Sequence, residues 1–262
     1  MAEPSLKTLF ADRFGQAPTV PEALREHRIL NNIARRSSCR AFAPQGPDTN
    51  TLETLCAAAL CAPSKSDLQQ RDIVIVSDAA VLRQLKSLLR AQAWIEGAPA
   101  MVVFLANNRR QRQVQDLHGQ PFPNDHLDAF FNASLDAGIA LAFFMAAAES
   151  AGLGCCPIST IRNHLDQVAE LLELPDHVFP VAGLAVGYPA QASAVSPRLS
   201  LNATVHHNRF HETRPEQIVG YDARRLKDDK SPGWSEAKAK MYAAPQRTDF
   251  AEFIRRIGFK LD

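Results

Sequence analysis

At 262 residues, with 46% hydrophobic and 22% charged residues, the chain has the makeup of an ordinary globular protein, long enough for one large core or two small ones. Those proportions exclude disordered and fibrous classes. A formal net charge of +1 offers no global attraction to nucleic acid or to a membrane surface, so any function that uses cationic groups has to be local.

In chain order, residues 1–32 carry short helical patterns broken at "GQAPTVP" and read as an N-terminal arm leading into the body. "MAEPSLKTLFADRFG" has charges throughout and no apolar run of signal-peptide length, so a soluble, cytoplasmic protein is expected. "IARRSSCRAF" (33–42) then places arginines and serines side by side between apolar residues. If extended, it projects Arg36, Ser38 and Arg40 from one side, because side chains alternate along a strand. Forked, permanently charged donors beside a hydroxyl suit an oxygen-rich dianion such as a phosphate. A solvated basic turn is the plain alternative.

"NTLETLCAAALCA" reads as a helix capped by Asn50, with Glu53 returning the bond. "APSKSDLQQ" reads as a loop and "DIVIVSD" as a buried strand. "AAVLRQLKSLLRAQAWI" is expected to be one amphipathic helix ending near Gly97 and Pro99, followed by "APAMVVFLAN" as a second strand. The Gln- and Arg-rich passage 107–126 reads as a mobile excursion. Residues 128–151 form a long helix that is apolar nearly all round and must be covered on every side, by its own subunit or partly by another. Its segment "AGIALAFFMAAAESAGLG", interrupted by Glu149, reads as too short to span a bilayer. "GLGCCPIST" turns out of this helix, "NHLDQVAELLEL" is a further helix closed by Pro175, and "VFPVAGLAVGYPA" is a third strand. The tail, 196–262, is more polar and ends in the amphipathic helix "DFAEFIRRIGFKLD". Cys39, Cys56, Cys61, Cys155 and Cys156 include no C-x-x-C pair and fit reduced core thiols, with a redox role for the adjacent Cys155 and Cys156 as the alternative.

Most chemistry-bearing motifs are missing. No G-x-G-x-x-G, no P-loop and no G-x-S-x-G elbow is present. His207 and His211 stand four residues apart, a metal-compatible spacing on a helix, but Arg209 and Arg214 crowd them and no third ligand can be named, so no metal is expected. A phosphate pocket without acid–base machinery suits a protein that lets a bound cofactor perform the reaction.

In order and at matching spacing, "RRSSCRAF", "DAGIALAFFMAAAESAGLGCCPISTIRN" and "LLELPDHVFPVAGLAVGYPA" followed by "PRL" resemble the FMN-dependent nitroreductase family, in its branch of NADPH-linked flavin reductases and oxygen-insensitive nitroreductases. The resemblance runs from about Ile33 to the C-terminus. It implies an α+β sandwich, a mixed and largely antiparallel sheet flanked by helices, in an intertwined homodimer. The implied organisation is a single domain with an arm at 1–32, an FMN-binding core at 33–195 and a C-terminal arm at 196–262. By the same resemblance, Arg36, Ser37, Ser38 and Arg40 hold the FMN phosphate and ribityl chain, and Arg198 closes on the phosphate from the tail. Ser64 lies beside the flavin, Gln92 reaches its pyrimidine edge, and the backbone of Pro157, Ile158, Ser159 and Thr160 approaches N5 and O4. No side chain is catalytic in this reading.

Four positions depart from the family pattern: Ser159 and Thr160 stand where relatives have a glycine pair, Ser196 replaces a lysine, and Phe143 replaces an asparagine. The implied activity is ping-pong transfer of a hydride from NADPH or NADH through flavin N5 to a small-molecule acceptor, a nitroaromatic, a quinone or free flavin. Arg224, Arg225 and Lys227 lie in the excursion where relatives bind the extra phosphate and favour NADPH, with a solvated basic loop partly neutralised by Asp228 and Asp229 as the alternative. A dehydrogenase or dehalogenase with a dedicated substrate, and a flavin-binding protein without turnover, are the alternatives; no nucleic-acid or membrane partner is expected.

Overall fold

A computed structural model describes residues 4–226 and 232–262. Its elements are, in order, α1 (Leu6–Phe14), α2 (Glu22–Arg25), α3 (Arg28–Arg35), α4 (Thr49–Leu60), β1 (Arg71–Val76), α5 (Ala79–Leu88), β2 (Ala100–Asn107) and α6 (Arg109–Leu117). There follow α7 (Leu127–Ser150), β3 (Gly154–Ile158), α8 (Leu165–Leu171), β4 (Val178–Gly187), α9 (Leu201–Thr204), α10 (Pro215–Arg225), α11 (Trp234–Tyr242) and α12 (Phe250–Arg256). The chain divides into two compact units, Met1–Ser37 with Ser193–Gln246, and Ser38–Ala192 with Arg247–Asp262.

The larger unit is built on a four-stranded antiparallel sheet in the order β1-β2-β4-β3. One row crosses all four strands, Val76 opposite Met101, Met101 opposite Ala185, and Ala185 opposite Cys156. Alternation along β2 sends Val102 and Phe104 to one face and Met101, Val103 and Leu105 to the other, so the strand is buried on both faces and reads as a continuous apolar run. On the first face pack Leu52, Leu55 and Ala59 of α4 and Ala140, Phe144 and Ala148 of α7. Phe104 and Phe144 meet edge to face at 5.6 Å, each large buried side chain stabilising by about 1.5–3 kcal/mol relative to exposure. The second face carries Leu85 of α5, Ile95 and Val168 of α8. Phe253 and Ile254 of α12 close the end of the sheet against Phe179. The α+β class is therefore as expected, and among the described residues the one parallel pairing is an isolated bridge, Ser38 to Cys155.

In the smaller unit α1 packs on α3 through Leu6, Leu9 and Ala34. Ser5 caps α1 by accepting from the Thr8 N–H at 3.2 Å. Gly15 ends it at φ +80, a conformation a side chain resists. Tyr221 of α10 is buried edge-on to Trp234 of α11, with centroids 5.2 Å apart.

Several local expectations are corrected. The cap of α4 is Asp48, not Asn50: its carboxylate accepts from the Thr51 N–H at 2.7 Å, and the helix has already begun at Thr49. The helix predicted to run to Gly97 stops at Leu88, and a separate 3-10 turn covers Ala93–Gly97. Passage 107–126 contains α6, a polar helix held by tertiary bonds. Arg110 reaches the Gln69 carbonyl at 2.5 Å and Asp72 at 2.6 Å, and Arg112 pairs with Asp125 at 2.5 Å. Gly154–Ile158, expected to be part of a turn, is the edge strand β3. Finally, α7 at 24 residues is long and apolar enough by length and composition to cross a membrane, contrary to the reading of its second half alone. It nevertheless buries Asp136 completely and lays Ala140 and Ala148 on the sheet.

Candidate functional site

The arginine–serine segment is extended, but only from its fourth residue. Ile33, Ala34 and Arg35 finish α3, and Arg36 leaves it with φ −55 and ψ 140. The division between the two units falls inside the segment, between Ser37 and Ser38. In the larger unit, Ser38 bridges to Cys155 and Phe42 to Pro189. The Cys39 N–H donates to the Cys155 carbonyl at 3.0 Å. Cys39 is buried while Arg40 is exposed, the alternation expected of a strand. Gly154 makes the approach possible: a Cβ there would stand 2.5 Å from the Cys39 Cβ.

In the smaller unit an unforeseen residue organises two of the predicted ones. Arg13 is buried, and its Nη2 donates to the Ala34 carbonyl at 3.0 Å and the Arg36 carbonyl at 2.6 Å. Its Nη1 donates to the Ser196 carbonyl at 3.3 Å, and its own carbonyl accepts from the Arg198 N–H at 2.6 Å. One guanidinium and one carbonyl thus join the backbone that carries Arg36 to the backbone that carries Arg198. Ser37 adds a bond to the Ser193 carbonyl at 3.3 Å. The signal was present in the sequence: Arg13 continues the buried stripe of Leu6 and Leu9 on α1, where a charge is out of place unless it is satisfied. Arg198 itself is exposed.

Arg224 is part of this scaffold. Its Nη2 donates to the Arg198 carbonyl at 2.7 Å, and its side chain lies against Gly15, 2.9 Å from where a Cβ would stand. Arg225 donates to the Tyr221 hydroxyl at 3.0 Å. Both guanidiniums, offered by the sequence in favour of NADPH, make hydrogen bonds within their own unit. Lys227, the third residue of that argument, lies outside the described residues.

The larger unit brings together Gln92, Thr160 and Arg40 around Trp94. The Gln92 Nε2 donates to Thr160 Oγ1 at 2.8 Å, and the Trp94 Nε1–H donates to Gln92 Oε1 at 3.1 Å. The Arg40 guanidinium lies 5.9 Å from the Trp94 ring centroid, within cation–π range. Pro157 and Ile158 end β3 opposite Leu184 and Gly183, and Ser159 and Thr160 open the 3-10 turn that follows. Neither Ser159 nor Thr160 has a positive φ, so both occupy the expected glycine positions without backbone strain. Ser64 accepts from the Gln69 N–H at 3.2 Å, at the start of a loop with positive φ at Ser66, Asp67 and Gln69.

That loop hangs on a buried charge. Asp136, fully buried in α7, accepts from the Lys65 N–H and the Gln70 N–H, both at 3.0 Å. Arg71 is buried 4.0 Å away and donates to the Leu60 and Ala62 carbonyls at 3.0 and 2.8 Å. A carboxylate in the middle of a largely apolar helix was the sequence signal for this role.

The remaining candidates supply no reaction machinery. His207 and His211 are not on a helix; α9 stops at Thr204, and the His211 ring instead faces His206, with centroids 6.2 Å apart. Among the described residues no three His, Cys, Asp or Glu side chains are placed to hold a metal ion. Burial pushes the Cys56 thiol up to about 11 and raises Cys39 as well, so both stay protonated near neutrality. Cys155 and Cys156 are adjacent on β3 and point to opposite faces, a poor geometry for a redox pair. What the residues do offer is a phosphate-type donor set on one unit and an amide, hydroxyl and backbone array on the other.

Comparison with known proteins adds the following. Residues 33–188 match the description "Nitroreductase family", and residues 196–262 match "Nitroreductase family, C-terminal domain". The chain is 31% identical over 247 residues to the FMN reductase [NAD(P)H] of Bacillus subtilis, an alignment covering 90% of this chain and 99% of that protein. Among solved structures it is similar to B. megaterium NfrA2, with TM-score 0.85 and 32% identity over 90% of this chain and 99% of that one. It is also similar to the NADPH:FMN oxidoreductase from Vibrio harveyi complexed with NAD+, with TM-score 0.80 and 28% identity over 88% and 98% of the two chains.

Proposed function

Because the chain belongs to the nitroreductase family, we propose that it is an FMN-dependent oxidoreductase of the cytosol, reduced by NAD(P)H and reoxidised by a nitroaromatic, a quinone or free flavin. The observation that carries this reading is the double tether of Arg13, which holds the Arg36 and Arg198 segments on one scaffold. Two arginines carried on backbone segments so joined supply the charge and the forked donors that a phosphate monoester takes. The donor set therefore fits FMN.

In this reading Arg36 and Arg198 take the phosphate, Ser37, Ser38 and Arg40 the phosphate and ribityl chain, and Ser64 and Gln92 the ring. FMN held there would supply the redox chemistry, two-electron transfer from NAD(P)H to the acceptor in ping-pong order. The chain's own contribution is to bind, orient and tune. Backbone amides of Pro157–Thr160 other than the proline nitrogen offer hydrogen bonds that favour an electron-rich ring without a titrating side chain. No acid–base pair is required of the protein.

The exposed side of α7 supports a homodimer. Leu127, Phe131 and Leu135 recur every fourth residue and are exposed, Phe131 by 58%, and Phe143 is exposed further along the helix. Such a stripe on one copy is the kind of surface a second copy covers. A monomer at micromolar concentration in analytical ultracentrifugation would remove the dimer.

The central test is the absorption spectrum of the purified protein, reconstituted with FMN and then given NADPH or NADH without air. A flavin spectrum that bleaches, followed by parallel double-reciprocal plots in the steady state, supports the reading. Failure to retain FMN, or a bound flavin that neither nucleotide bleaches, overturns it.

A further inference from the structure

We propose that Trp94 is a positioning residue that fixes the sense of the Gln92 side-chain amide. The proposal rests on the FMN reading above, in which Gln92 addresses the ring edge.

A glutamine amide can be turned end for end with little change in shape, exchanging its carbonyl for its amino group. Thr160 does not discriminate between the two senses, because a hydroxyl both donates and accepts. Trp94 does, because an indole N–H only donates. With Trp94 Nε1 3.1 Å from Gln92 Oε1, the carbonyl is committed to Trp94 and the amino group to Thr160 at 2.8 Å. Turning the amide over would set the indole N–H against an NH2 group and leave a half-buried donor unsatisfied. The remaining valences of Gln92, one N–H and one carbonyl lone pair, are therefore presented in one fixed order. One carbonyl oxygen and its neighbouring N–H on a heteroaromatic edge, held at a fixed place before Gln92, can be read by an amide in one sense only.

Two local features hold Trp94 in place. Gln92 is the residue from which the 3-10 turn Ala93–Gly97 starts, and the Ile95 N–H donates to the Gln92 carbonyl at 2.9 Å, which sets Trp94 on the first turn. Arg40 lies over its ring at 5.9 Å. The sequence "QAW" thus encodes a reader and its orienter two residues apart.

The test is a double-mutant cycle on the full-length protein with Trp94→Phe, Gln92→Leu and the pair, reading the FMN dissociation constant and the midpoint potential of the bound flavin. Trp94→Phe removes the N–H and keeps an aromatic ring under Arg40. It is expected to weaken FMN binding about three- to tenfold, the scale of one lost hydrogen bond, and to shift the potential in the same direction as Gln92→Leu. In the Gln92→Leu background it is expected to do nothing further. An undiminished effect in that background assigns Trp94 to packing, and no effect in the wild-type background denies it any role; either overturns the proposal. The wild-type protein gives a reading independent of flavin and of how the variants fold. The indole N–H of Trp94 is expected to exchange with deuterium much more slowly than a free indole, and free exchange overturns the proposal. Should the protein bind no FMN, the family-based reading fails, and the exchange measurement still decides the Trp94–Gln92 bond.

Discussion

Arg13 donates to the carbonyl of Arg36 at 2.6 Å. The bond links the second turn of α1 to the residue that ends α3, and the Arg13 carbonyl carries the link on to the Arg198 N–H. Arg13→Lys keeps the charge but cannot serve three carbonyls from one fork. It is expected to cost about 2–3 kcal/mol of stability and to weaken FMN binding at least about tenfold, equivalent to ~1.4 kcal/mol. Fluorescence titration of FMN and thermal unfolding measure the two effects; a variant with wild-type values on both would show that the tether positions nothing.

Arg224 supports Arg198 through its carbonyl at 2.7 Å. Arg224→Ala is therefore expected to loosen FMN and leave the ratio of kcat/KM for NADPH to that for NADH unchanged within about twofold. A selective rise in KM for NADPH would instead return Arg224 to the role of a dinucleotide phosphate ligand.

Asp136 and Arg71 form a buried pair at 4.0 Å that also holds the loop around Ser64. Asp136→Asn leaves the Arg71 charge uncompensated and turns an amino group towards one of two backbone donors. The expected loss is about 3 kcal/mol, or a fall in Tm of roughly 6–12 °C, with faster proteolysis between Ser64 and Gln70. Wild-type Tm in this variant would count against the pair as a structural anchor.

His177 sets a pH dependence. Its pKa is lowered, first by burial and then by the Arg112 charge, although its Nε2–H donates to the Gly258 carbonyl at 3.0 Å. The folded state thus holds the proton less tightly than the unfolded chain does. The histidine's contribution to stability is fully present above the unfolded value of about 6.5 and is lost as pH falls through the folded one. Tm is expected to decline from pH 7 to pH 5 and to decline less steeply in His177→Gln. Identical slopes would clear His177 of the effect.

Much of the fold was legible because it is written in long apolar runs. β1, β2 and β4 are such runs, and α4, α7 and α8 show helical spacing between breakers. The errors fell where tertiary contacts override local signals. Gly154–Ile158 is short and contains a proline, yet it is a strand because β4 offers it an edge. Residues 109–117 are mostly polar, yet they are helical because Asp72, Gln69 and Asp125 hold their arginines. Cap chemistry at Asp48 was misread by two residues because Asn50 also suits the motif.

By itself the sequence determined the α+β class, the family and a set of candidate donors, since hydrophobic period and motif order are local properties that survive in one dimension. Only the tertiary structure decided which partners each donor meets. Arg224 looked like a spare cation and is bonded to the Arg198 carbonyl, whereas Arg13 and Trp94 looked like arm and turn residues and orient their neighbours. The reason is physical: a hydrogen-bonding group is defined by its partners, and partners separated by 183 residues, as Arg13 and Ser196 are, meet only when the chain has folded.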